Sequence, residues 1–142
     1  MDNQTRHTFR KEERLCSRKT IEALFAGGNK SMSSYPIRVV CMPLSDETMP
    51  AFREQIPSVQ VLISVSKRRF KHAVDRNRVK RLIREAYRKH KYLLTTVVAE
   101  RGEHYALAFL WLSSEHVEAK VVEQKVCNLL QRVAESLPAI GE

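Results

Sequence analysis

The chain has few cysteines, no long apolar run and, across one stretch, almost no acid. Its three cysteines, Cys16, Cys41 and Cys127, are odd in number and far apart, without a CxxC spacing. That excludes a disulfide framework and a zinc ribbon, and predicts reduced, partly buried thiols. The five histidines, His7, His72, His90, His104 and His116, include no HxxxH pair and no acidic partner at ligand spacing. No metal site in the protein is expected. No apolar stretch reaches the roughly 18 residues of a spanning helix. Met1 to His7 lacks the apolar core of a secretion signal. A cytoplasmic protein without a membrane partner follows as the expectation. At 142 residues, 43% hydrophobic and 29% charged, the chain fits one soluble domain over 1–142, with an N-terminal arm (1–16) loosely attached. Repeats, low-complexity tracts and linkers are absent.

What is abundant is positive charge, and it is concentrated. The net charge is +9, yet residues 67–91 hold twelve Lys or Arg against only Asp75 and Glu85. The rest of the chain has thirteen basic and fourteen acidic residues. A field localised in this way attracts a polyanion and speeds its arrival.

Hydrophobic patterning predicts an α+β fold, a two-layer α-β sandwich with helices against a small central sheet. A short helix runs over Ser17 to Phe25, capped by Ser17 and stopped by Gly27-Gly28, with Ile21, Leu24 and Phe25 on one face. A strand covers Tyr35 to Met42, with Pro36 at its start or at a sheet edge. Pro43 to Ser58 reads as a loop. Val59 to Ser66 alternates apolar and polar, which predicts a sheet with one covered and one accessible side. A helix spans His72 to His90, a central strand Tyr105 to Leu112, and a last helix Ser114 to Leu137.

The basic helix has two faces. Val79, Leu82, Ile83, Ala86 and Tyr87 form a buried stripe, and Asn77, Arg81, Arg84 and Arg88 fall opposite, with Lys80 beside them. Guanidinium forks grip phosphate oxygens and stay charged at any relevant pH. A face kept basic only for solubility would interleave glutamates at i,i+4, and only Glu85 is available. A row so uniformly basic favours backbone contact over base reading, and RNA over duplex DNA, because the strand face with Ser64, Ser66 and Arg38 suits a single strand.

The order Ser64-Val65-Ser66-Lys67-Arg68-Arg69-Phe70, followed by AVDRNRVKRLIREAYR over 73–88, resembles the signature of the bacterial ribonuclease P protein component. Phe9, Arg14, Leu15 and Phe25-Ala26-Gly27-Gly28 are similar to that family's opening helix. The sequence departs from the family pattern at Leu62 and Lys71, where glycine is common, and at Ile21, where an aromatic is common. The resemblance implies an α-β sandwich with a left-handed β-α-β crossover. It also implies a role: a protein subunit that binds a catalytic RNA, the RNA with its Mg2+ removing the 5′ leader of precursor tRNA. The chain would then be part of an endoribonuclease without catalytic residues, cofactors or an obligate protein partner of its own. Arg76, Asn77, Arg78, Lys80, Arg81, Arg84 and Arg88 match the motif residues that face the catalytic RNA, with Arg68 and Arg69 in the preceding turn. The family's leader cleft implies Phe25, Tyr35, Arg38, Ser64, Ser66 and Lys67, with Phe9 either a further leader contact or a residue that pins the N-terminal arm to the sheet.

A protein-borne nuclease would need clustered carboxylates or a His-based acid–base pair. Asp75 is better explained by the helix dipole, and Glu85 by pairing with Arg81, Arg88 or Lys89. His72 and His90 flank the helix without evident partners. Trp111, Phe109 and Tyr105 read as core, since both faces of their strand are apolar. Two other classes compete: a ribosomal or assembly protein, and a DNA-binding module. Stimulation of a catalytic RNA at low magnesium discriminates among the three.

Overall fold

The computed structural model describes Phe9 and residues 11–44 and 57–137. Most of the predicted 43–58 loop lies outside the described residues. A 3₁₀ turn, Lys11–Glu13, leads into helix α1 (Arg18–Phe25), strands β1 (Lys30–Ser34), β2 (Ile37–Pro43) and β3 (Val59–Ser64), and helices α2 (Ala73–His90) and α3 (Tyr92–Glu100). Strand β4 (Tyr105–Trp111) and helix α4 (Ala119–Ser136) complete the chain. The sheet order is β1-β2-β4-β3, with β3 parallel to β4 and the other pairs antiparallel. Parallel neighbours need a crossover, and α2 and α3 supply it.

Local chemistry accounts for the elements. Ser17 caps α1 by accepting from the Thr20 amide at 3.3 Å. Gly27 and Gly28 end it at φ +102° and +83°, conformations that side chains rarely adopt. Asn29 Nδ2 closes the end by donating to the Ala23 and Leu24 carbonyls at 3.0 and 2.9 Å. The central strand β4 is buried at six of seven positions, as its continuous apolar run requires.

Two clusters sandwich the sheet. On one face, Ile37, Val39, Cys41, Val59, Val61, Leu107 and Phe109 meet Val79, Ile83 and Tyr87 of α2 and Val122, Val126, Leu129, Leu130 and Val133 of α4. On the other, Val40, Met42, Ala106 and Ala108 meet Leu15 and Leu24. The second face is therefore covered in part, where one accessible side was expected. Each large side chain so buried contributes about 1.5–3 kcal/mol. Phe25 leaves the predicted α1 face and is 47% exposed, because Thr20 and Leu24 are the positions that α1 buries.

Two elements went unpredicted. β1 is polar (KSMSS), and its outer edge is covered from α4, where Lys30 Nζ donates to the Ser136 carbonyl at 2.6 Å and Arg132 Nη1 to the Ser33 carbonyl at 2.8 Å. Pro36 falls in the β1–β2 turn instead of the strand. α3 buries only Leu94 and Val98.

The structure also ties down residues 11–16 of the arm that the sequence reading leaves loose. Arg14 bridges to Val61, the Leu15 amide donates to the Val61 carbonyl at 2.8 Å, and Leu15 is buried. Glu13, itself buried, meets Lys91 Nζ at 2.6 Å. Such a pair forms part of the packing, since removing either partner would leave a buried charge. Cys41 is buried and its thiol is pushed up to about 12 by desolvation, whereas Cys16 is exposed and does not fit the expected partial burial.

Candidate nucleic-acid interface

The predicted stripe of α2 anchors the site. Val79, Ile83, Ala86 and Tyr87 are buried and Leu82 is half-buried, while Asn77, Arg78 and Arg81 are exposed and Lys80, Arg84 and Arg88 half-exposed. Among the described residues Arg78, Lys80, Arg81 and Arg84 make no ion pair, and Arg84 Nε is shielded from water without a hydrogen bond. Unpaired like charges on one helix face repel each other until an anion arrives. Arg88 differs, since it pairs with Glu85 through Nε (3.0 Å) and Nη2 (2.5 Å), and that hydrogen bond holds the Glu85 carboxyl below its usual range.

Arg76 is half-buried and partly committed. Its Nη1 donates to the Phe70 and Lys71 carbonyls, both at 2.9 Å, and so holds the turn before α2. That turn presents Lys67, Arg68 and Lys71 to solvent, with Arg69 half-exposed and Phe70 buried. Arg68 and Arg69 lie in the turn that Arg76 holds from α2. The structure also assigns His90 the partner that sequence spacing did not reveal: His90 Nε2 lies 2.9 Å from Glu123 on α4, which lowers the Glu123 carboxyl. His72 occupies the N-cap of α2 but makes no capping bond with its side chain.

The cleft candidates divide. Strand register sets Arg38 opposite Leu110, and Leu110 opposite Ser64. Alternation puts this row on the face that α1 partly covers, because Ile37, Val39, Val61 and Val65 point to the other side. Arg38 is exposed and donates to Ser31 Oγ at 3.2 Å. Tyr35, 67% exposed, precedes β2, and Ser66 and Lys67 follow β3, so all of them gather at one end of the sheet. The basic turn 66–72 begins at that same end. Phe9 is not part of the row. It packs edge-on against Tyr87, with ring centroids 5.7 Å apart, under Arg14, and so belongs to the helix-covered face.

Asp75 engages His116 and Glu85 engages Arg88. Among the described residues no three His, Cys, Asp or Glu side chains group as metal ligands would.

The ribonuclease P family model matches residues 9–134. A ribonuclease P protein component of Porphyromonas gingivalis is 41% identical over 129 residues, covering 91% of this chain and 88% of that protein. The chain belongs to the ribonuclease P protein family. A second relative, from Chlorobium phaeobacteroides, is 32% identical over 134 residues, covering 89% and 88%. Solved structures agree on the fold. The RNase P protein of Thermotoga maritima superposes with a TM-score of 0.63 at 22% identity, covering 84% of this chain and 96% of that one. The protein from Staphylococcus aureus does so at 0.63 and 16%, covering 89% and 98%. Among the described residues no helix is long and apolar enough to cross a membrane.

Proposed function

We propose that this ribonuclease P family chain binds the catalytic RNA of ribonuclease P through α2 and the turn before it, and holds the 5′ leader of precursor tRNA on the sheet. The observation that carries this reading is the two-sidedness of α2: one face is locked into the core, and the other carries Arg78, Lys80, Arg81 and Arg84 without carboxylate partners among the described residues. Phosphates are the ligand that satisfies such a row, by bidentate contacts and counterion release. Asn77, Arg76, Arg88, Arg68 and Arg69 extend the surface. In this reading the leader lies along Arg38 and Ser64, with Tyr35, Phe25, Ser66 and Lys67 around it; Phe9 serves packing.

The RNA, with its own Mg2+, performs the hydrolysis that leaves the mature 5′ end of the tRNA, in the cytoplasm and without another obligate protein. The protein lowers the magnesium requirement by neutralising phosphates near the reacting bond. Both acids of the basic segment are already engaged, so the segment offers neither a general base nor a metal-binding carboxylate pair. The test is reconstitution. The chain alone leaves precursor tRNA intact, and with a family catalytic RNA it raises cleavage at low magnesium. Failure to stimulate any such RNA would turn the reading to a structural RNA-binding protein.

A further inference from the structure

The turn 66–72 carries four cations, Lys67, Arg68, Arg69 and Lys71, yet belongs to no helix or strand. A turn that had to be ordered on meeting RNA would lose much of its binding energy to entropy. Several contacts fix it beforehand. The Arg69 amide donates to the Ser66 carbonyl at 3.1 Å, and Arg76 grips the Phe70 and Lys71 carbonyls from α2. The Phe70 ring is buried, and one of its faces stacks on the imidazole of His116, with centroids 4.7 Å apart and planes 19° from parallel. His116 Nε2 donates to Asp75 Oδ1 at 2.9 Å in the first turn of α2.

His116 therefore joins two parts of the basic segment from outside it, 41 residues beyond Asp75. Its own connection between β4 and α4 is fixed as well. The Leu112 amide donates to the Pro36 carbonyl at 2.8 Å, and the Glu115 amide to Ser113 Oγ at 3.0 Å. That connection reaches the same end of the sheet as Tyr35 and Ser66. We propose that His116 is a positioning residue for the RNA-facing turn: its ring holds Phe70 by stacking, Asp75 sets the orientation of the ring, and the cations of 67–71 are thereby aligned with those of α2. The inference rests on the RNA-binding reading above. Both members of the His116–Asp75 pair are about one-third exposed, a setting in which ion pairs contribute little to stability. Loss of the imidazole should therefore register in RNA binding more than in melting.

The test compares the parent chain with H116A and H116F, using a family catalytic RNA as the probe. The measurements are Kd, the slope of log Kd against log salt, and Tm. H116A should bind about fivefold to tenfold more weakly, a modest free-energy change, with a slope smaller by about one phosphate contact. Its Tm should fall by less than about 3 °C. H116F, which keeps the stack, should recover most of the affinity. Equal Kd and slope for H116A and the parent would overturn the proposal, as would a loss that H116F does not recover. If the parent binds no catalytic RNA, the RNA-binding reading itself has failed and takes this inference with it. Parent binding with an unaffected H116A sinks the positioning role alone.

Discussion

Helices α2 and α4 are both 18 residues long, both amphipathic, and packed side by side on the same face of the sheet. Their inner faces are equivalent in kind: Val79, Ile83, Ala86 and Tyr87 on one, Val122, Val126, Leu129, Leu130 and Val133 on the other. Their outer faces differ. α2 carries seven Lys or Arg against two acids, whereas α4 carries three against two, interspersed with Gln124, Asn128 and Gln131. The inner pattern alone would assign both helices the same job. It is the outer face, which contributes nothing to the core, that separates the proposed RNA-binding helix from a scaffold helix.

The largest expected effect tests the equivalence of the inner faces. Ile83→Ala and Leu130→Ala should each destabilise the fold by about 2–5 kcal/mol in urea titrations, since both side chains are fully buried. A markedly milder loss for Ile83→Ala would mean that α2 is less firmly anchored than α4. The next effect tests the difference between the outer faces. Arg81→Ala with Arg84→Ala should weaken affinity for catalytic RNA by about tenfold or more, while Tm holds or rises slightly as like-charge repulsion is relieved. A fall in Tm matching the lost affinity would make these arginines structural.

A smaller effect concerns how the helices begin. Ser17→Ala should cost about 1 kcal/mol by removing the α1 cap. His72→Ala should leave stability unchanged, because the His72 side chain caps nothing. A thermal melt of each variant distinguishes the two. The smallest effect is shared by both long helices. Glu85 is held below the carboxylate value of 4.5 by Arg88, and Glu123 by His90. Depressed carboxylates stabilise the fold above their unfolded pKa, and that contribution is lost as pH falls through the lower folded value. A Glu85→Gln, Glu123→Gln double variant should therefore show a flatter decline of Tm below pH 4.5 than the parent. An identical decline would show that these surface pairs contribute nothing, as is common for exposed ion pairs.

The basic helix was legible in the sequence because periodicity and charge point the same way over eighteen residues. β4 was legible for a similar reason, its apolar run being too short for a buried helix and too long for a turn. β1 was not, since Lys30 to Ser34 carries no apolar alternation and gains its place from pairing with β2 and from cover by α4. α3 was hidden because its sequence, YLLTTVVAE, is β-branched and apolar at positions that show no single face. Within the site, the split of α2 into a buried stripe and an exposed basic row could be read from helical spacing. The engagement of Arg76 with the turn, the His116–Phe70 stack and Tyr87 as the partner of Phe9 could not, because each joins residues through tertiary contact or backbone carbonyls that no local pattern reveals. Phe25 failed for the converse reason: helical spacing put it beside Leu24, but α1 buries a narrower stripe.

The most direct measurement sets one pair of cations from each long helix side by side: the salt dependence of catalytic-RNA affinity for Arg81→Ala/Arg84→Ala on α2 and for Lys120→Ala/Lys125→Ala on α4. If α2 is the phosphate-binding helix, the first pair should reduce the log–log slope by about two and the second should leave it at the parent value. Equal reductions from both pairs would contradict the account, and would mean that the RNA senses the net charge of the protein, not the built face of one helix.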